Sequence, residues 1–188
     1  MSKYIYMDNA ATTPVKEEVL KEMMPYFTEK YGNPSSVYSL ASKSKVVVEN
    51  AREQVANAIG ADKKEIFFTA GGSESDNWAI KGAAYSNRKK GNHIITTKIE
   101  HHAVLHTCEY LEKQGFEITY LNVDEDGLIS LEELKDSIKD DTILISIMFA
   151  NNEIGTIQPI REIGEIAKER NILFHTDAVQ AIGNIRID

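Results

Sequence analysis

The chain has 188 residues, long enough for one domain that buries about 70% of the surface its unfolded form exposes. It carries 29 acidic side chains against 21 lysines and arginines, and the net charge of −8 argues against a nucleic-acid-binding protein. It has no apolar run near the ~20 residues of a membrane helix, and its first residues do not have the apolar h-region typical of a signal peptide. Its single cysteine, Cys108, excludes an internal disulfide framework. We expect a cytoplasmic enzyme or binding protein.

Helices and short strands alternate in the predicted order of elements. Apolar residues recur at helical spacing over residues 16–30 and 42–59, and Gly60 follows the second helix as a C-cap glycine does. Five segments have the composition of strands: 65–69, 93–97, 116–121, 142–149 and 172–175. Four further helices are predicted at 73–85, 103–113, 131–138 and 160–170. This alternation predicts a three-layer α/β/α fold with a mostly parallel sheet, in which ligands bind beyond the carboxyl ends of the strands.

The loop after the first predicted strand combines two glycines with a serine. Gly71 and Gly72 permit a tight turn and a close approach of the backbone, and Ser73 lies where a helix begins. Free amides and the dipole at a helix N-terminus form an anion site, to which a serine hydroxyl adds a donor. The alternative is that Ser73 only caps the helix while Glu74 and Asp76 offset the dipole. The loop alone is compatible with phosphate binding and with simple capping.

The loop after the second predicted strand contains adjacent histidines. His101, at the carboxyl end of a strand, is placed to stack on a flat cofactor or to transfer protons near pH 7. His102 and His106 are four residues apart, as in some zinc sites, but spacing identifies no third ligand. A solvated helix face explains the same pair, so we predict no metal site.

An acidic segment near residue 124 resembles an EF-hand calcium loop, with Gly127 and Glu133 at the expected positions. An EF-hand needs a helix on the N-terminal side, and residues 116–121 instead alternate as a strand does. A strand, an acidic turn and a helix that begins near Ser130 explain the segment without calcium.

Polar residues also follow the last two predicted strands. Asn152 lies in an Asn-rich turn, where side-chain amides can orient a ligand oxygen, although Asn is also an ordinary turn residue. Asp177 comes directly after a buried strand, where a carboxylate is costly unless a cation meets it, and a protonated pyridine nitrogen is such a cation. Gln180 is placed to donate to a neighbouring phenolate oxygen. A helix-capping Asp is the alternative for Asp177.

Six motifs occur in an order that closely resembles the cysteine desulfurases of NifS and IscS type, within the class-V aminotransferase family of fold-type I enzymes. The motifs are YMDNAATTP at 6–14, GNPSS at 32–36, TAGGSESDN at 69–77, EHHAV at 100–104, NNEIG at 151–155 and DAVQ at 177–180. The resemblance implies pyridoxal 5′-phosphate as the cofactor. It implies that Gly72 and Ser73 bind its phosphate and that His101 stacks on its ring and moves protons as a catalytic residue.

The resemblance assigns the other side of the cofactor as well. It implies that Asn152 and Gln180 contact the phenolic side of the ring and that Asp177 pairs with the ring nitrogen. It also implies the reaction: L-cysteine is converted to L-alanine, and an enzyme cysteine takes the sulfur as a persulfide for iron–sulfur cluster scaffolds or other acceptors. Related class-V enzymes such as selenocysteine lyases remain an alternative, and so does an inactive binding module.

Three functional groups of the resembled family have no match before Asp188: the Ser-x-His-Lys lysine that holds the cofactor as a Schiff base, the sulfur-accepting cysteine and the arginine that binds the substrate carboxylate. Cys108 is predicted to be a small apolar residue within a helix rather than the accepting thiol. We therefore expect an N-terminal fragment, or one half of an enzyme that another polypeptide completes.

The resembled large domain has seven strands in the order 3-2-4-5-6-7-1. The chain is expected to supply the first five, so segment 65–69 would lack its neighbouring strand and the sheet would be incomplete at its C-terminal end. Residues 1–15 are expected to join a small domain, and residues 16–188 to form the N-terminal part of the large domain. Members of the resembled family are homodimers, so a homodimer is expected for the parent enzyme.

Overall fold

The computed structural model describes residues 5–185, which divide into two compact units, one of residues 5–68 and one of residues 69–185. No helix of the described part of the chain is long and apolar enough to cross a membrane. The predicted boundary between residues 15 and 16 concerns the domains of a larger enzyme and stays a prediction.

The first unit contains two helices, α1 (Glu17–Thr28) and α2 (Ser39–Ile59), close to the predicted bounds. Gly60 ends α2 in the left-handed conformation with φ of 68°, which confirms the predicted C-cap glycine, and its N–H donates to the Ala56 carbonyl.

The prediction of a strand at residues 65–69 was wrong. The chain forms a short 3-10 helix, Lys63–Glu65, closed by a capping box with Asp62, and continues without regular structure. The Arg52 guanidinium donates to the Ile66 carbonyl and lies over the Phe68 ring, 4.9 Å from its centroid. No described strand pairs with this segment, and β-branched and aromatic composition alone does not form a strand without a neighbour.

The second unit alternates strands and helices as predicted. Its strands are β1 (His93–Thr97), β2 (Glu117–Leu121), β3 (Thr142–Ser146) and β4 (Leu173–His175). Its helices are α3 (Gly72–Asn87), α4 (His102–Lys113), α5 (Leu131–Ser137) and α6 (Ile160–Glu169).

The four strands form one parallel sheet in the order β2-β1-β3-β4. This order equals the 3-2-4-5 part of the sheet that the sequence resemblance implies, which confirms the predicted fold class. Since all strands run the same way, their carboxyl ends and the loops that follow them lie at one edge.

The helices cover both faces of the sheet. On β1, Ile94 belongs to a core shared with α3 and α4, which includes Ile80 and Leu111, while Ile95 belongs to the opposite core, shared with α5 and α6. Neighbouring residues of a strand point to opposite faces, so a strand covered on both sides reads as a continuous apolar run.

The strand predicted at residues 142–149 ends earlier in the structure, since β3 stops at Ser146. Two separate hydrogen bonds continue the pairing beyond β3: the Ile147 N–H donates to the His175 carbonyl (3.1 Å), and the Phe149 N–H donates to the Asp177 carbonyl (2.8 Å). These bonds fix the backbone of Asp177 at the carboxyl edge of the sheet.

The acidic segment is a turn between β2 and α5, in agreement with the prediction. The Asp124 Oδ1 atom accepts from the N–H groups of Asp126 and Leu128, and Ser130 caps α5 by accepting from the Glu133 N–H. The Glu133 side chain accepts from Asn122 instead of closing a calcium loop.

Replacement of the fully buried Ile95 by alanine is expected to lower the free energy of unfolding by about 2–5 kcal/mol, because a cavity forms beneath the sheet. Urea unfolding followed by circular dichroism measures the change. The matched control is Ile157→Ala, at a side chain that is 50% exposed, with an expected change within about 0.5 kcal/mol. Equal effects of the two substitutions would contradict the assignment of the core.

Candidate cofactor site

A cavity of about 390 Å³ lies at the carboxyl edge of the sheet, within the size range of about 300–1,000 Å³ for small-molecule sites. One wall is formed by the start of α3, with Gly72, Ser75 and Asp76, and the other by the segment after β4, with His175 and Asp177. The cavity therefore lies where the parallel sheet was predicted to bind a ligand.

The two walls approach each other closely at Gly72. A Cβ atom at this position would lie 2.9 Å from the Val179 Cγ2 atom, which is closer than side chains pack. Gly72 thus allows the segment after β4 to lie against the start of α3, and this contact brings the predicted phosphate loop next to Asp177.

The start of α3 leaves backbone donors open. Gly71 is the N-cap residue and supplies no side-chain cap, while the neighbouring turn is held by the Ala70 N–H, which donates to Glu74 Oε2 (2.6 Å). Ser73 is the second residue of the helix, so its interpretation as the capping residue was wrong. First-turn amides without a side-chain cap can bind an anion.

Asp177 is held by its backbone and by one side-chain contact. Its Oδ1 atom accepts from the Val179 N–H (3.0 Å), and a series of turns follows it instead of a helix. The alternative of a helix-capping Asp was therefore wrong, and the carboxylate keeps capacity to accept further hydrogen bonds from the cavity.

Asp76 is a second carboxyl group of the cavity and is only 4% exposed. Its Oδ1 atom lies 3.6 Å from the Nε2 atom of His175. Burial, together with the negative charge of Asp177, raises the pKa of Asp76 to about 7.

Glu100 is a further carboxyl group, buried between the loops that follow β1 and β3 and outside the cavity lining. Its Oε1 atom accepts from the Thr97 hydroxyl (2.7 Å) and from the Met148 N–H (3.0 Å). Burial raises the pKa of Glu100 to about 7, although the two hydrogen bonds lower it. The negative charges of Asp177 and Asp76 raise this pKa further.

No lysine or arginine forms an ion pair with these three carboxyl groups anywhere in residues 5–185. A cation that enters the cavity would find negative charge not yet neutralised, and a protonated pyridine nitrogen is such a cation. The open amides of α3, the close approach at Gly72 and the carboxylate of Asp177 together fit a ligand with a phosphate at one end and a ring nitrogen at the other.

His101 lies at the N-cap of α4, and its ring is exposed. The Nδ1 atom accepts from the Ala103 N–H (3.1 Å), so a neutral imidazole there carries its proton on Nε2. The helix cap fixes the ring, with Nε2 left as the atom that can exchange a proton.

Asn152 lies in a turn that the side chain of its neighbour Asn151 stabilises. Asn151 is buried, donates to the Ile99 carbonyl (2.9 Å), and accepts from the N–H groups of Glu153 (2.8 Å) and Ile154 (3.0 Å). The turn therefore rests on the loop that carries His101, through one amide side chain that sequence reasoning did not single out.

Of the six predicted site residues, Gly72 and Asp177 line the cavity together. Ser73, adjacent to Gly72, borders a shallow surface on the other side of α3, and the cavity lining of the described chain does not include His101, Asn152 or Gln180. The roles of all six residues stay predictions.

Sequence reasoning did not identify Asp76, Glu100 or His175 as part of the site. From the sequence, Asp76 was interpreted as a residue that offsets the helix dipole. Its burial could not be predicted, because it depends on the packing of α3 against β4. The positions of the other two in the sequence were the usable signal, because Glu100 follows β1 and His175 ends β4 at the edge of the sheet where ligands bind.

The remaining candidates lie elsewhere. His102 and His106 stack on the exposed face of α4, with ring centroids 5.5 Å apart, and residues 5–185 contain no group of three or more ligands placed for a metal ion. Cys108 lies within α4, as predicted, where it is fully buried in the apolar core, and burial raises the pKa of its thiol to about 12.

Replacement of Glu100 by glutamine is expected to stabilise the protein at high pH. The folded state holds the Glu100 proton more tightly than the unfolded state, so the contribution of Glu100 to wild-type stability is fully present below the usual pKa of 4.5 and is lost as pH rises through about 7. At pH 8, Glu100→Gln should raise the free energy of unfolding by about 1–3 kcal/mol, with little effect at pH 4. Urea unfolding across this pH range measures the difference. The exposed Glu125→Gln is the control, and a pH-independent effect of Glu100→Gln would contradict the prediction.

Known proteins resemble this chain over its whole length. The chain matches the family model described as aminotransferase class-V over residues 5–188. It is 66% identical over 188 residues to the cysteine desulfurase IscS of Clostridium botulinum, a match that covers 100% of this chain and 47% of that protein. The chain thus spans about half the length of the curated relatives it matches.

Solved structures give the same result. A NifS-like protein superposes with a TM-score of 0.95 at 47% identity, covering 98% of this chain and 51% of that one. SspA, solved in complex with cysteine, superposes with a TM-score of 0.94 at 45% identity, covering 97% and 53%. The resemblance seen in the motifs is confirmed: the chain belongs to the class-V aminotransferase family of pyridoxal-phosphate-dependent enzymes, which includes the cysteine desulfurases.

Proposed function

We propose that this chain forms the cofactor-binding part of a cysteine desulfurase that uses pyridoxal 5′-phosphate to convert L-cysteine to L-alanine and an enzyme-bound persulfide. The observation that carries the proposal is the cavity in which the start of α3 meets Asp177 across the close contact at Gly72. Relatives named cysteine desulfurases, and the cysteine complex of the similar SspA, support cysteine as the substrate.

In this proposal, Gly72 and Ser73 hold the cofactor phosphate with first-turn amides and a hydroxyl, and His101 stacks on the ring. Asn152 and Gln180 contact the phenolic side. Asp177 accepts a hydrogen bond from the protonated ring nitrogen and keeps that nitrogen cationic, because a carboxylate stabilises the charged form of its partner.

When bound, the cofactor supplies an electron sink for the substrate's α-carbon. The chain's own residues orient the ring and maintain its charge. His101 can give or take a proton at Nε2, since its Nδ1 atom is occupied by the Ala103 N–H. The thiol of Cys108 stays protonated and buried at neutral pH, so it takes no part in sulfur transfer.

We also propose that the parent enzyme is a homodimer that passes sulfur to an acceptor or iron–sulfur scaffold protein, with residues 1–15 in its small domain and the rest of this chain in its large domain. A cytoplasmic location is proposed on the basis that a single free, buried cysteine suits a reducing compartment.

The activity is tested with the full-length protein, L-cysteine and pyridoxal 5′-phosphate, by measuring alanine and sulfide. We expect Asp177→Asn to lower the rate of alanine formation at least about 100-fold, because an amide does not keep the ring nitrogen protonated. Selenocysteine is assayed in parallel. Selenide release with no turnover of cysteine would identify a selenocysteine lyase, and failure to turn over either substrate would contradict the proposal.

The contact at Gly72 predicts a difference between two glycines of α3. Gly72→Ala adds a methyl group against Val179 and should weaken cofactor binding by about 1–3 kcal/mol, since the segment that carries Asp177 has to move. Gly82→Ala is the control, because nothing lies within 4 Å of its Cβ position in the described protein and it does not line the cavity. Fluorescence titration of the apoprotein measures both. Equal losses would show that the contact with Val179 does not matter.

A further inference from the structure

Asp76 has no role in the proposed function, yet it shares the cavity with Asp177. It lies on the second turn of α3 with its carboxyl group buried. Its one ion-pair contact among the described residues is His175, at 3.6 Å, which is longer than a hydrogen bond.

His175 does not neutralise Asp76. The His175 Nδ1 atom is hydrogen-bonded to the Ser146 hydroxyl (2.8 Å), and burial lowers the pKa of the imidazole. The ring is therefore neutral at neutral pH, and Asp76 faces an uncharged side chain where an arginine or lysine would complete an ion pair.

The other titratable groups near Asp76 are also neutral or negative. The negative charge of Asp177, in the segment after β4, raises the pKa of Asp76. Glu100 lies in the loop after β1, and the charges of both aspartates raise its pKa. The packed face of α4 contributes Cys108, whose thiol is protonated. Ionisation of Asp76 thus places a second or third negative charge in one buried region, which is unfavourable until a positive charge enters.

We propose that Asp76 is a positioning residue for the cofactor: a second carboxyl group beside Asp177 that releases its proton when a cationic ring nitrogen enters the cavity, so that two negative charges hold the protonated ring. The O–H bond of the Asp76 carboxyl breaks, its electron pair stays on oxygen, and the proton leaves to solvent through the open cavity. This inference rests on the proposed function, because it needs a cofactor whose ring nitrogen lies at Asp177.

The probe is pyridoxamine 5′-phosphate, which carries the ring nitrogen and the phosphate but whose amine forms no Schiff base with a lysine. Its dissociation constant is measured by calorimetry on the full-length apoprotein between pH 6 and pH 8. The wild-type protein and Asp76→Asn should bind it equally at pH 6, where the wild-type carboxyl is protonated. At pH 8 the wild type should bind about tenfold more tightly. The titrations of the free probe are the same in both experiments and cancel in the ratio of the two dissociation constants.

Two controls separate charge from structure. The exposed Asp140→Asn should leave the dissociation constant unchanged at every pH. An analogue with carbon in place of the ring nitrogen should bind the wild type and Asp76→Asn equally, because it keeps the amine and the phosphate but carries no positive charge at the ring position. If the ratio of the wild-type dissociation constant to that of Asp76→Asn does not change with pH, the inference is overturned.

A measurement on the unmodified protein covers the case in which Asp76→Asn does not fold. Infrared difference spectra at pH 7 should show loss of a carboxylic-acid C=O band when pyridoxamine 5′-phosphate binds, and an unchanged band would overturn the inference. Asp177→Asn separates a failure of the proposed function from a failure of the role proposed for Asp76. If it does not weaken binding of the probe, the proposed function itself fails; if it does while the ratio for Asp76 stays flat, only the role of Asp76 fails.

Discussion

Three buried or half-buried carboxyl groups meet at one edge of the sheet without a basic side chain to neutralise them within residues 5–185. In a protein interior this arrangement is unfavourable, and it raises the pKa values of Asp76 and Glu100 to about 7. In the proposed function, part of this unfavourable free energy is recovered when a protonated ring nitrogen binds beside Asp177.

The parallel sheet creates this site through backbone contacts more than through side-chain contacts. The Phe149 N–H fixes the Asp177 carbonyl, and the absence of a side chain at Gly72 lets the next residues lie against α3. Because each contact belongs to a different loop, no single loop defines the cavity. The Gly-Gly-Ser turn, weak evidence alone, becomes informative once it is placed opposite Asp177.

Alternating strands and helices predicted the parallel sheet, but the order of its strands came only from the family resemblance. The position of Asp177 was predicted from a polar residue that follows an apolar strand. The sequence misled where a tertiary partner decides the outcome: residues 65–69 have strand composition but no described neighbour, and Ser73 lies inside the helix it was thought to cap. Burial of Asp76 depends on packing between α3 and β4, which no local pattern encodes.

The same electrostatics restrict where sulfur chemistry can take place. A sulfur-accepting cysteine has to be a thiolate, and it has to be accessible. Cys108 is neither, because the apolar core between α3, α4 and the sheet encloses it and nearby glutamates, with Glu100 first among them, oppose its ionisation. The carboxyl groups that favour a cationic ring thus disfavour a thiolate in the same region. In the proposed reaction the accepting thiol must therefore reach the site from outside these 188 residues, approaching the open side of the cavity and not its buried wall.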